Sequence, residues 1–192
     1  MHETLPQIFI NTLLANNIVL AMFLGLCPFL GVSGKISTAW PMGLATSFVM
    51  LVASLCAWLI NWLLLSLGLE FLRLIAYIVI IAAAVQLVEM VTKKHSPALF
   101  RALGIYLPLI TTNCAVIGVA LFQTSREYNL AQSLTFAVGA GAGFTLALLL
   151  MASARERLQL SDVPSVAQGM AMSLMLGGIL SLAFMGFAGL GG

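Results

Sequence analysis

The chain has 192 residues, of which 61% are hydrophobic and 7% charged, against about 25% charged in an ordinary soluble domain, and this excludes a soluble globular protein. Eight Lys and Arg against six Asp and Glu give a net charge of +2. They are bunched in short stretches with no basic face or tail to follow a phosphate backbone, which excludes nucleic acid as a partner. Three cysteines, all inside apolar runs, exclude a disulfide framework, because an oxidised pair there would have no loop to close.

A charge at mid-bilayer costs roughly 2.5 to 3.5 kcal/mol and a helical span needs about 20 residues, so uncharged gaps locate spans. The gaps 4–34, 36–69, 74–88, 102–125, 128–154 and 163–192 predict six spans, roughly 8–32, 39–65, 71–91, 102–123, 130–152 and 168–189. Before the first, Met1 to Gln7 carries no Lys or Arg, so no secretory n-region is expected and the N-terminus reads as mature sequence.

In the first span, Asn11, Asn16 and Asn17 are expected to hydrogen-bond between helices rather than line an ion path. Further on, Phe23-Leu-Gly-Leu-Cys-Pro-Phe-Leu-Gly31 combines Gly25, Cys27 and Pro28. Proline removes a donor and disfavours the α conformation at the residue before it, so the helix is predicted to break at Cys27. The second span holds Cys56 in Ser54-Leu-Cys-Ala-Trp58; without polar flanks it reads as a small apolar filler. The third is bounded by Arg73 and Glu89. Glu89 lies four residues before Lys93 and reads as a solvated helix end rather than an ion-binding carboxylate. His95 sits among basic residues of the 92–101 loop and reads as solvated, while His2 is too isolated to build a site.

The fourth span contains Tyr106-Leu-Pro-Leu-Ile-Thr-Thr-Asn-Cys-Ala-Val-Ile-Gly118. Pro108 and the polar run Thr111, Thr112 and Asn113 predict a second interruption, with Asn113 capping the orphan amides of the following half-helix. In the fifth, Gly139, Gly141 and Gly143 with Ala137, Ala140 and Ala142 predict a smooth face for close helix contact. They are no dinucleotide fingerprint, since no βαβ unit surrounds them. Gly177, Gly178, Gly186 and Gly189 are expected to serve the sixth span in the same way.

An offset of 87 places Cys27 on Cys114 and Gly31-Val32 on Gly118-Val119, so Cys-x-x-x-Gly-Val occurs in the first span and the fourth. Three spans per half is odd, so the second half must be inserted upside down. The predicted fold is an all-α integral membrane protein: one membrane domain, 1–192, of six transmembrane helices in two inverted three-helix repeats, 8–91 and 102–189, with helices 1 and 4 interrupted. One side collects Lys35, Lys93, Lys94, Arg101, Arg155 and Arg157, the other Arg73 and Arg126. The positive-inside rule then puts both termini outside, the periplasm for a bacterial inner membrane.

Equivalent cysteines of an inverted pair would approach each other near the pseudo-twofold axis. Their thiolates beside freed amides could bind metal. The residues alone equally admit small apolar fillers. No Ser-His-Asp set, HExxH or P-loop is present. Three functions stay open on these residues: a redox subunit, a secondary transporter, or a scaffold without its own redox centre. The scarcity of mid-membrane acids and bases weighs against the transporter.

Four segments resemble a known family: Leu24-Gly-Leu-Cys-Pro-Phe-Leu-Gly-Val-Ser33, Leu109-Ile-Thr-Thr-Asn-Cys-Ala-Val-Ile-Gly118, Arg155-Glu-Arg-Leu158 with Asp162-Val-Pro164, and Leu182-Ala-Phe-Met-Gly-Phe187. The family is that of membrane proteins which include the A-type subunit of the bacterial Rnf electron-transport complex and the E-type subunit of the sodium-translocating NADH:quinone reductase. Cys-Pro-Phe and Thr-Thr-Asn-Cys look more like the Rnf version. The resemblance implies a non-autonomous subunit of a redox-driven ion translocase that passes electrons between ferredoxin and NAD, coupled to sodium or proton movement. It implies that Cys27 and Cys114 are two of four ligands to an intramembrane [2Fe-2S] cluster, supported by Gly25, Pro28, Thr111, Thr112 and Asn113. The other two ligands would come from a homologous Rnf E-type subunit of opposite topology. Flavins and other clusters are implied for the remaining subunits, the B, C, D and G types, with no flavin on this chain.

Overall fold

The structure, a computed structural model, describes residues 4–68, 70–95, 110, 112–160 and 169–187. Helix α1 (Leu5–Ile10) starts where the Gln7 side chain accepts the Thr4 N–H at 3.1 Å and Pro6 occupies a first-turn position that needs no intrahelical donor. It continues into a π-helical turn, Asn11–Ala15, closed by the Asn16 N–H on the Asn11 carbonyl at 2.7 Å. Residues 16–25 form turns. Then come α2 (Leu26–Val32), α3 (Ile36–Leu67), a 3-10 turn (Glu70–Leu72), α4 (Arg73–His95), α5 (Cys114–Ser125), α6 (Leu130–Gln159) and α7 (Met170–Met185).

Among the described residues, α3 and α6 are the two helices long and apolar enough to cross a membrane; the other apolar helices are shorter. They also form the central packed pair, with α4 and α5 against α3, and α1, its π-turn and α7 against α6. Their backbones approach closely because small residues face each other. A Cβ on Gly43 would lie 2.7 Å from Thr145 Cγ2, and one on Gly141 would lie 2.7 Å from Ser47 Cβ. The Ser47 and Thr145 hydroxyls share a hydrogen bond of 3.2 Å at that crossing. Gly139 and Gly143 meet the backbone of Phe9, Leu13 and Thr12 in the same way. The small-residue face predicted for the fifth span therefore serves two contacts, one per side.

Several expectations need correction. The first span is not a helix broken at Cys27: the break covers 16–25 and Cys27 is helical. Pro28 is tolerated because it falls in the first turn of α2, where the lost N–H has no intrahelical acceptor. The fifth helix runs on to Gln159, well past its predicted end. In α7, Gly177 faces Phe29 at 3.5 Å, whereas Gly178 has open space beside it and Gly186 meets its own Ala183 carbonyl, so these three described glycines form no second small-residue face. Gly189, His2, Pro108 and Thr111, and the side chains of Lys93 and His95, lie outside the described residues.

Candidate functional site

The break in the first span exposes backbone groups that a bilayer could not satisfy, and side chains from distant helices satisfy them. Asn17 is fully buried. Its Oδ1 accepts the Val19 N–H at 3.0 Å and the Leu20 N–H at 3.4 Å, while its Nδ2 donates to the Gly143 carbonyl of α6 at 2.8 Å. Ser181 on α7 donates to the Leu20 carbonyl at 2.7 Å. Asn16 Nδ2 donates to Asn11 Oδ1 at 3.0 Å. Of the three asparagines, Asn17 acts between helices as predicted, whereas Asn11 and Asn16 pair with each other inside the first span; Asn17 also caps a turn, a role that sequence reasoning missed.

The last donor of the break reaches a cysteine. Gly25, at φ +82°, donates its N–H to Cys114 Sγ at 2.9 Å. Cys114 is half-buried at the first position of α5, and Cys27 is exposed in the first turn of α2, two residues after Gly25. The turn leading into one cysteine segment therefore rests on the sulfur of the other. Asn113 is the N-cap of α5 as predicted, its Oδ1 accepting the Ala115 N–H at 3.0 Å. Its Nδ2 is buried without a partner. Thr112 is exposed in the turn before it. Cys56 lies apart on α3, half-buried against the apolar core, in keeping with a filler.

The motif Arg155-Glu-Arg-Leu158 gains a physical role. Arg155 Nη1 donates to the Leu30 carbonyl and to Ser33 Oγ, both at 3.0 Å, closing the C-terminal end of α2. Glu156 Oε1 accepts the Ile36 N–H at 2.9 Å at the start of α3. Sequence reasoning also missed a buried polar cluster. Ser54 Oγ donates to Gln123 Oε1 at 2.6 Å, Gln123 Nε2 donates to the Ser54 carbonyl at 2.9 Å, and the Tyr77 and Thr124 hydroxyls share a bond of 2.8 Å. Lone Ser, Gln and Thr in apolar runs carry no spacing signal that pairs them.

Two thiols in the first turns of short helices, one already accepting an amide hydrogen bond, fit one half of a cysteine-ligated iron–sulfur site. Amide N–H groups on ligand sulfur are among the features that set such a cluster's potential. Among the described residues no three of His, Cys, Asp and Glu come together to hold a metal ion. The donor set here is two thiols where a cluster held by cysteine takes four.

The family described as "Rnf-Nqr subunit, membrane protein" matches residues 5–191. Proteins named as the A subunit of an ion-translocating oxidoreductase complex are similar over 184 residues, 95% of this chain and 95% of theirs: that of Yersinia enterocolitica at 54% identity, and those of Citrobacter koseri and Escherichia coli at 55%. By that match over nearly its whole length, this chain belongs to the Rnf-Nqr family of membrane subunits.

Proposed function

We propose that this chain is the A-type membrane subunit of an ion-translocating ferredoxin:NAD oxidoreductase (Rnf) complex in a bacterial inner membrane. In this reading Cys27 and Cys114 give two of four thiolates to an intramembrane [2Fe-2S] cluster, and a homologous E-type subunit of opposite orientation gives the other two. The observation that carries it is the 2.9 Å bond from the Gly25 N–H to Cys114 Sγ, which ties the two cysteine segments into one structure. When bound, the cluster supplies one-electron transfer at a point between the two membrane faces. The chain's own residues do the rest. The Gly25 amide donates to Cys114 Sγ and holds that sulfur in place at the start of α5. Asn113 fixes where α5 begins, and Cys27 is exposed where a second polypeptide could reach it.

From the cysteine helix onward both halves follow one order, which supports the repeats 8–91 and 102–189: a short helix with a cysteine in its first turn, a helix of 32 or 30 residues, then a third helix. With the six-to-two distribution of Lys and Arg, this reading puts both termini in the periplasm.

Iron and acid-labile sulfide assays with EPR on the purified complex test the proposal. Cys27→Ser and Cys114→Ser should each abolish one [2Fe-2S] signal, while Cys56→Ala retains it at a packing cost of about 1 kcal/mol or less. A full signal in Cys114→Ser would sink the ligand assignment.

A further inference from the structure

Behind α5, at the end of the bundle where α3 finishes and α4 begins, lies a polar chamber of about 410 Å³ lined by Asn61, Arg73, Gln123, Glu127, Tyr128 and Ser133, among others. Two of its polar atoms, Asn61 Oδ1 and Arg73 Nε, are buried with no hydrogen-bond partner. A native structure rarely leaves such groups unmatched, because a buried polar group without a partner loses its hydration and gains nothing in return. Arg73 calls for an anionic acceptor, whereas the Asn61 oxygen calls for a donor.

Glu127 adds a third requirement. The Glu127 N–H bonds the Thr124 carbonyl and the Tyr128 N–H bonds the Gln123 carbonyl, both at 3.1 Å, and Glu127 sits at φ +53°. This is a helix-ending motif in which the left-handed residue is usually glycine. A glutamate held there at a backbone cost points to a use for its side chain. The chamber thus presents one cation, one anion and one bare carbonyl oxygen. On the far side of Arg73 and Thr124, which line both spaces, runs a groove of about 600 Å³ walled by Leu24, Cys114, Ile117, Leu121 and Phe122.

We propose that the chamber binds the phosphoethanolamine headgroup of a membrane phospholipid, its phosphate on Arg73 and its ammonium between Asn61 Oδ1 and Glu127, with an acyl chain in the groove. A purely anionic headgroup would satisfy Arg73 but set its charge near Glu127 and leave Asn61 Oδ1 without a cationic donor. The apolar groove distinguishes a lipid from a free zwitterion, and the end-of-helix position matches headgroup depth, where Trp58 and Tyr128 also line the chamber. The headgroup chamber is lined by neither Cys27 nor Cys114, whereas the acyl groove runs up to Cys114.

Native mass spectrometry of the delipidated complex, offered phosphatidylethanolamine, phosphatidylglycerol or soluble glycerophosphoethanolamine, tests it. The expected result is at least tenfold preference for phosphatidylethanolamine over phosphatidylglycerol, with glycerophosphoethanolamine failing to displace it at equal concentration. Arg73→Gln should remove the bound lipid. Glu127→Gly, which relieves the backbone and so should not harm folding, should retain lipid but lose the preference. Equal retention of both lipids by the native complex, unchanged preference in Glu127→Gly, or displacement by the soluble headgroup would each overturn the proposal.

Discussion

Gly25 shows how one residue is fixed from three sides. Its φ of +82° lies in the left-handed region, where a side chain costs roughly 1 to 2 kcal/mol. A Cβ there would also stand 2.9 Å from Phe144 Cε2, 3.1 Å from Ala115 Cβ and 3.2 Å from Asn113 Oδ1. Phe144 is fully buried in the core, so the added methyl has nowhere to displace it and overpacking adds about 1 to 3 kcal/mol. Gly25→Ala should therefore destabilise the protein by about 2 to 5 kcal/mol and move the amide away from Cys114 Sγ. Thermal unfolding of the complex should show a lowered midpoint, with a parallel fall in the [2Fe-2S] signal. Gly178→Ala, placed in open space, is the matched control and should change neither. An unchanged midpoint in Gly25→Ala would mean that the turn is less crowded than these distances require.

At the scale of the element, α2 is a two-turn helix that would be marginal alone, so its position depends on what holds its ends. The Gly25 turn holds one end, and Arg155 holds the other through the Leu30 carbonyl and Ser33 Oγ. A charge-assisted hydrogen bond of this kind contributes about 1.5 to 3 kcal/mol, so Arg155→Ala should loosen α2 and with it Cys27. The expected outcome is a broadened or weakened EPR signal at preserved complex assembly. Arg155→Lys, which keeps the charge without the planar fork, should fall between the two. A native spectrum in Arg155→Ala would show that packing alone fixes α2. This contact also shows where sequence reasoning stops. Charge spacing located α3 and α6 well, since long apolar runs between charges have few other solutions in a bilayer. It ended the fifth helix too early because Arg155 closed the uncharged gap, when Arg155 and Glu156 each have a backbone partner more than a hundred residues away. The break in the first span went to Cys27-Pro28, the strongest local breaker, although Asn16 and Asn17 mark the true site. Nothing in their spacing reveals that the Gly143 carbonyl lies within reach. Asn113 was legible as a cap because that role is local.

Over the whole molecule, the apolar surface is far from closed. Trp40, Phe48, Leu59 and Trp62 on α3 and Leu174, Ile179 and Leu182 on α7 are exposed. In a bilayer this costs little, since lipid chains are as apolar as leucine, and what drives association is close packing and polar pairing. Cys27 is exposed on the same chain, and a site of two thiols is half of what a cysteine-ligated cluster takes. A second copy of this chain could in principle complete it. Copies in one membrane share one orientation, however, so pairing about an axis in the membrane plane needs an oppositely inserted homologue. Expressed alone, this polypeptide should then purify with almost no iron or acid-labile sulfide and without a [2Fe-2S] absorbance band. Co-expression with an inverted partner bearing its own two cysteines should restore one cluster per heterodimer, and Cys114→Ser should abolish it even with that partner present. Full iron and sulfide on the isolated chain would mean that the cluster draws all its ligands from one polypeptide, and the shared-site reading would have to be given up.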